Sequence, residues 1–162
     1  MSRCDPQTIL IVDDEPALLH TMSALLQREG YRCIAAKNPT EALSMCESDE
    51  VIDFVVSDFS MPAMNGLQLW ERIRQVRPGL HVLFVGRAET ARIARLSHAA
   101  QQQSILIISE ADGALESGSV INLLLSDGRV RFEIALDAAE KSRIKLSSRL
   151  LALAVNVRGG AP

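Results

Sequence analysis

Ser57-Asp58-Phe59-Ser60-Met61-Pro62-Ala63-Met64-Asn65-Gly66 follows the apolar run Phe54-Val55-Val56, and that junction decides how the chain is read. The run reads as a short buried strand. Asp58 then stands where a strand gives way to a loop, on the carboxyl edge of a sheet, which is where open α/β sheets bind ligands. A second acidic group, Asp13-Asp14-Glu15, ends the apolar run Ile9-Leu10-Ile11-Val12 in the same way. If the two strands are parallel neighbours, three carboxylates converge on one small pocket. Like charges that close repel. A hard divalent cation relieves the repulsion, and Mg2+ suits a site of few carboxylates, water and phosphate.

Outward from these two strands the chain alternates. After the first strand, residues 8–12, Pro16 lies in the first turn of a helix whose Leu18, Leu19, Met22, Leu25 and Leu26 recur at helical spacing until Gly30. Residues 31–36 form a second strand, and Asn38-Pro39-Thr40 starts a helix with Ala42, Leu43 and Cys46 on its apolar face. Residues 53–57 are the third strand, followed by a helix from Gly66 to Val76. Residues 81–85 and 104–108 are the fourth and fifth strands, separated by a helix over 88–101. This alternation argues for right-handed parallel crossovers and a doubly wound sheet. Then the pattern changes. Runs 119–125 and 129–136 are joined by Ser126-Asp127-Gly128, a hairpin signal because Gly tolerates positive φ. The hairpin should add antiparallel strands beside the fifth strand. Asp137 opens a final helical stretch with Ile144, Leu146, Leu150, Leu151 and Leu153 among its apolar positions, and residues 159–162 should fray.

Composition sets the outer bounds. With 162 residues, nearly half of them apolar and a net charge of −3, the chain is sized for one globular domain and carries no overall nucleic-acid-binding charge. Residues 1–80 hold seven Lys/Arg against twelve Asp/Glu, whereas 81–162 hold ten against eight. The acidic excess therefore sits on the half with the carboxylate pocket, where a cation would offset part of it. Cys4, Cys33 and Cys46 lack metal-type spacing and read as thiols in a reducing compartment. The first residues lack a signal-peptide core and no run approaches membrane-span length, so a cytoplasmic protein with no membrane partner is expected.

The acidic pair after a first strand, together with D-x-S-M-P-x-M-N-G after a third, resembles the receiver domain of two-component response regulators over residues 7 to about 80. The resemblance implies that Asp58 accepts a phosphoryl group from a histidine kinase or phosphotransfer protein. It implies that Asp14 binds Mg2+ directly and Asp13 through water, and that the Ser60 main-chain carbonyl supplies a further ligand. Two positions depart from that pattern. Receivers carry a Thr or Ser at the end of the fourth strand, where Gly86 stands here, and a Lys followed by Pro after the fifth, where Ser109-Glu110 stands. Those departures put the switching step, not the acceptor, in question. Arg87 would be a substitute cation, against the plainer reading of a solvated residue at a helix start.

From about His81 the chain resembles the C-terminal part of the YfiR family, periplasmic proteins that repress a membrane diguanylate cyclase. The resemblance rests on His81-Val-Leu-Phe-Val, Ile105 to Ser109, Gly118-Ser-Val-Ile-Asn, Arg129-Val-Arg-Phe-Glu-Ile, Ala138-Ala139 and Leu146 to Ala154. It implies a protein partner bound through the C-terminal half, without chemistry. Two half-domains thus meet near residues 78–81, natural or as a recombined or designed chimera, and a chimera kept for its fold would have no physiological function. The combined expectation is a single α/β domain, 1–162, with a receiver-like half (1–80), a YfiR-like half (81–158) and a frayed tail. Its fold would be a three-layer flavodoxin-like sandwich of sheet order 2-1-3-4-5, with an added hairpin and final helix.

Each sharper reading has a plainer rival. Single acidic residues at strand ends are usually caps or solvated loop groups; the spacing with M-P-x-M-N-G favours a site. His20, His81 and His98 have no ligand-spaced partners and read as surface residues. Trp70 and the Leu-rich final stretch read as core, and the alternating Arg129, Arg131 and Glu133 as a solvated strand face or a partner surface. No serine-nucleophile motif, glycine-rich phosphate loop or zinc pattern occurs, and no enzymatic activity is expected.

Overall fold

The structure is a computed structural model that describes residues 5–86, 90–101, 103 and 105–159. Cys4, Arg87, the expected helix start at Ala88, the strand start at Ser104 and the tail residues 160–162 lie outside the described residues. Two compact units make up the chain, Met1–Val82 and Leu83–Pro162.

In the first unit, β1 (Thr8–Val12), β2 (Arg32–Ala36) and β3 (Phe54–Ser57) lie in the order β2-β1-β3. All pair in parallel, with Ile9 opposite Cys33 and Phe54, and Val12 opposite Ala36 and Ser57. Every residue of β1 is buried, as a central parallel strand covered on both faces requires. Helices α1 (Pro16–Arg28), α2 (Pro39–Glu47) and α3 (Gly66–Val76) make the crossovers. Pro stands at the start of both α1 and α2, where its missing N–H costs nothing. The Asn38 side chain caps α2 by accepting from the Glu41 N–H at 2.8 Å. Gly30, at φ +94°, lets the chain leave α1 and enter β2. Ile9, Ile11 and Leu19 form one core cluster, against which Met22, Leu26, Cys33 and Val56 pack. Arg77, just past α3, donates to the carbonyls of Cys46 (2.7 Å), Ser48 (2.6 Å) and Glu50 (2.8 Å), so its guanidinium ties down the end of α2 and the chain leading to β3.

The second unit contains β4 (His81–Gly86), whose first two residues belong to the first, then α4 (Thr90–Ala100) and β5 (Leu106–Ser109). Strand β5 pairs in parallel with β4, Gly86 standing opposite Ser109. The hairpin follows as β6 (Ile121–Ser126) and β7 (Arg129–Ala135). Its turn residues Asp127 and Gly128 have φ of +52° and +70°, the pair of positive angles that a two-residue hairpin turn demands. The hairpin lies beside β5, as expected, but β6 pairs with β5 in parallel, with Ile108 opposite Ile121 and Ser109 opposite Asn122, so the antiparallel pairing is that of β6 with β7.

The expected final helix is corrected by the structure. It divides into α5 (Leu136–Lys141) and α6 (Ser148–Leu153), and the chain then forms a further strand, β8 (Asn156–Arg158), parallel to β7. The break falls at Arg143, whose φ of +55° no continuing helix tolerates. Ile144, Leu146, Leu150 and Leu151 still pack against the core cluster of Val120, Ile121, Ile134, Ala138 and Ala139, whereas Leu153 is 66% exposed. Apolar spacing thus identified four half-buried positions that pack on the core, but neither the exposure of Leu153 nor the interruption.

Candidate acidic phosphoacceptor site

The site is assembled by the ends of β1 and β3. Because these strands are parallel neighbours in register, Val12 opposite Ser57, the next residues in each chain emerge at the same edge. Asp13 and Asp14 follow β1, and Asp58 follows β3. Main-chain bonds continue one step past both strands: Asp13 N–H donates to the Ala36 carbonyl at 3.2 Å, and Asp58 N–H to the Val12 carbonyl at 3.1 Å. Ligand oxygens of Asp13, Asp14 and Asp58 all lie within 4.8 Å of one another. Asp13 is buried, Asp58 half-buried and Asp14 exposed, so the cluster opens to solvent on one side.

The electrostatics reflect that crowding. Burial, and next the Asp13 carboxylate, push Asp58 above the ordinary carboxylate range, with Asp14 adding a smaller push. The main-chain N–H groups of Phe59 and Ser60 pull the other way, the former donating to Asp58 Oδ1 at 2.7 Å. Asp13 Oδ1 accepts from the Glu15 N–H at 2.8 Å, which leads the chain into α1. This donor set is all oxygen and rich in charge, which fits a hard divalent cation such as Mg2+.

Main-chain hydrogen bonds also tie the loop after Asp58. Gly66 N–H donates to the Phe59 carbonyl at 3.0 Å, and Met64 N–H to Pro62 at 2.8 Å, with Ala63 at φ +67° between them. A reciprocal cap then starts α3: Gln68 N–H donates to Asn65 Oδ1 at 2.9 Å, and Asn65 N–H to Gln68 Oε1 at 3.0 Å. The sequence carried that signal in Asn65 and Gln68, three residues apart, and it was not read. The donors from Phe59 and Ser60 are backbone groups with no sequence signature.

The other singled-out residues fall as follows. Trp70 is buried, with the Arg74 guanidinium 5.1 Å from its ring centroid. His20, His81 and His98 are exposed, and Cys33 and Cys46 are free thiols. In the second unit Gly86 adopts φ +141°, a conformation that disfavours any residue with a Cβ, including the absent Thr or Ser. Ser109 is fully buried, and its Oγ accepts from the Ala111 N–H at 3.1 Å.

A parallel βαβ sheet with an acidic cluster at its carboxyl edge defines a receiver-type α/β module, and sequence comparison agrees. The N-terminal half is homologous to receiver domains. It is 38% identical over 80 residues to the transcriptional regulatory protein GlrR of Escherichia coli (strain K12), covering 49% of this chain and 18% of GlrR. It is 40% identical over 82 residues to the sensor histidine kinase RcsC of Salmonella typhimurium, covering 51% of this chain and 8% of RcsC. The chain therefore spans only a small part of the length of these curated relatives. The solved response regulator receiver domain protein from Clostridium thermocellum, 25% identical, superposes with a TM-score of 0.58 over 68% of this chain and 86% of its own. The chain belongs to the YfiR/HmsC-like (DUF4154) family, whose model matches residues 35–155. That match begins in β2, far upstream of His81, where the sequence reading started it.

Proposed function

We propose that the chain is a receiver-like module of a two-component phosphorelay that binds Mg2+ and accepts a phosphoryl group on Asp58, acting in the cytoplasm as a phosphoacceptor and not as an enzyme. The observation that carries this reading is the convergence of three carboxylates within 4.8 Å at the ends of two parallel strands. Receiver homology of the same half supports it. Asp13, Asp14 and Asp58 would hold the ion with the Ser60 main-chain carbonyl. Bound there, it would supply charge neutralisation for phosphoryl transfer, a reaction that asks little of a protein beyond positioning and electrostatics. One Asp58 oxygen attacks phosphorus while the bond from phosphorus to the donor histidine nitrogen breaks, and that nitrogen keeps the electron pair. The Phe59 N–H, already on Asp58 Oδ1, fixes the carboxylate rotamer for the attack. Asp13, held by the Glu15 N–H, keeps its own carboxylate turned to the same pocket. Gly86 lacks the hydroxyl, and Ser109-Glu110 lacks the ammonium group, that relay the modification in receivers, so phosphorylation here would change the acidic edge without the usual transmission.

The test is a titration of Trp70 fluorescence with Mg2+, then with Mg2+ plus beryllium fluoride, on wild type and Asp58→Asn, repeated by calorimetry if Trp70 is silent. Saturable binding lost in the variant is expected. Absence of binding by both methods would sink the reading.

A second reading follows from the family match over residues 35–155. Membership supports a regulatory module that works by binding a protein, without chemistry. Partner binding that survives Asp14→Asn with Asp58→Asn would favour it.

A further inference from the structure

The β6–β7 hairpin outruns the sheet that supports it. On one side β5 reaches only Ile121 and Asn122 of β6. On the other, β8 pairs with Glu133, Ile134 and Ala135 of β7, and the last contact before it is the Val155 N–H on the Phe132 carbonyl at 2.9 Å. Strand backbone groups turn to alternate edges. Phe132 faces outward, so Val130, two residues earlier, turns its N–H and C=O to the same outer edge, beyond the reach of the β8 ladder. An exposed strand edge of this kind is a template for another strand.

The side chains beside that edge are sorted by face. Register places Leu125 opposite Val130, Leu123 opposite Phe132, and Ile121 opposite Ile134. These apolar pairs form one stripe that is buried at Ile121 and Ile134, half-buried at Leu123 and Phe132, and open at the tip, where Leu125 is 78% and Val130 72% exposed. Val155, 49% exposed, continues the stripe. The opposite face presents Arg129 and Arg131, both exposed and in no ion pair among the described residues. Glu133, the acid on that face, accepts from the Asn156 side-chain amide at 3.3 Å. Residues 129–158 hold seven Lys/Arg against three Asp/Glu.

We propose that the outer edge of β7 at Arg129–Phe132 is a docking site for an extended segment of a partner protein in which apolar residues alternate with aspartate or glutamate. Main-chain bonds to Val130 hold the added strand. Its apolar side chains lie beside Val130 and Phe132, and its carboxylates beside Arg129 and Arg131; edge addition with alternate-side-chain selection is an established recognition mode. A second copy is a poor occupant. Antiparallel self-pairing about Val130 sets Arg129 of one chain against Arg131 of the other, and like charges directly opposite destabilise a strand pair. The inference concerns the second unit and goes beyond the phosphoacceptor reading.

The probe is a blocked, soluble peptide alternating valine with glutamate, with a valine–lysine peptide as the comparison, added to the full chain. The readouts are fluorescence anisotropy and amide hydrogen exchange at Val130 and Phe132. The expected result is saturable binding of the glutamate peptide with both amides newly protected. Arg129→Glu with Arg131→Glu weakens it by about tenfold or more and transfers the preference to the lysine peptide. Val130→Asp, at an exposed position, abolishes binding of both. The proposal is overturned if the glutamate peptide fails to bind, or if its binding ignores the charge reversal. It is equally overturned if Val130 is protected in the protein alone with a concentration-dependent dimer, for then a second copy holds the edge.

Discussion

Asp58 is held in a place where its own charge is unwelcome. Burial and Asp13 raise its pKa in the folded state above the ordinary 3.8, so the folded chain binds a proton more tightly than the unfolded one. Stability then falls as pH rises from the unfolded value through the raised folded value, and the full penalty stands at neutral pH. Asp58→Asn, which removes the charge and keeps the shape, should therefore raise the melting temperature of the metal-free protein at neutral pH. The gain should shrink toward nothing near pH 3, where Asp58 is protonated in both states. Melting curves of the two proteins across that range check it. Gly118 gives the opposite kind of prediction. With φ at +102° and an added Cβ only 2.0 Å from Ser97 Oγ and 2.5 Å from Ser97 Cβ, Gly118→Ala should cost about 2–4 kcal/mol in urea denaturation. Ser97→Ala should not rescue it, because the second contact remains. The acidic trio was legible from residue type and from its place at strand ends. The backbone donors that temper Asp58, and the crowding at Gly118, depend on which segments meet in space and leave no trace in spacing.

At the scale of elements, legibility follows length and periodicity. β1, α1, α2, α3 and the hairpin carry long apolar patterns or strong start and turn signals, and the sequence placed each within a residue or two. β8, only Asn156–Arg158, is too short for alternation to register. Its existence depends on the free edge that β7 offers. The α5–α6 break is likewise invisible, because Ile144 and Leu146 stay on the core side while the backbone reverses at Arg143. The α3 cap yields a direct prediction. Asn65→Ala removes the acceptor of the Gln68 N–H and should cost about 1 kcal/mol by denaturant titration. Asn65→Asp should retain most of the stability, since a carboxylate accepts the same bond at a helix N-terminus.

For the molecule as a whole, charge and family are divided along the chain in different ways. Charge divides near the unit boundary at Val82–Leu83, with the acidic excess before it. The family match does not divide there. It runs from 35 to 155, overlapping the receiver-homologous half from β2 onward. Mg2+ should consequently act on one unit. At about a hundredfold excess over its dissociation constant it should add about 2.7 kcal/mol to the stability of the first unit. Slowed amide exchange in β1 and β3, unmatched in β6 and β7, would report this, and Asp13→Asn with Asp58→Asn should erase it.

The clasp that Arg77 makes on the end of α2 turns Cys46 into a chemical clock. The thiol is buried, burial pushes its pKa up, and the carbonyl of the same residue is one of the three that the guanidinium grips. An alkylating reagent can reach it only while α2 is lifted away. Its rate of modification against reagent concentration therefore reads the frequency of that lifting, with the half-exposed Cys33 as the internal standard. Arg77→Ala should speed the clock for Cys46 and leave Cys33 nearly unchanged.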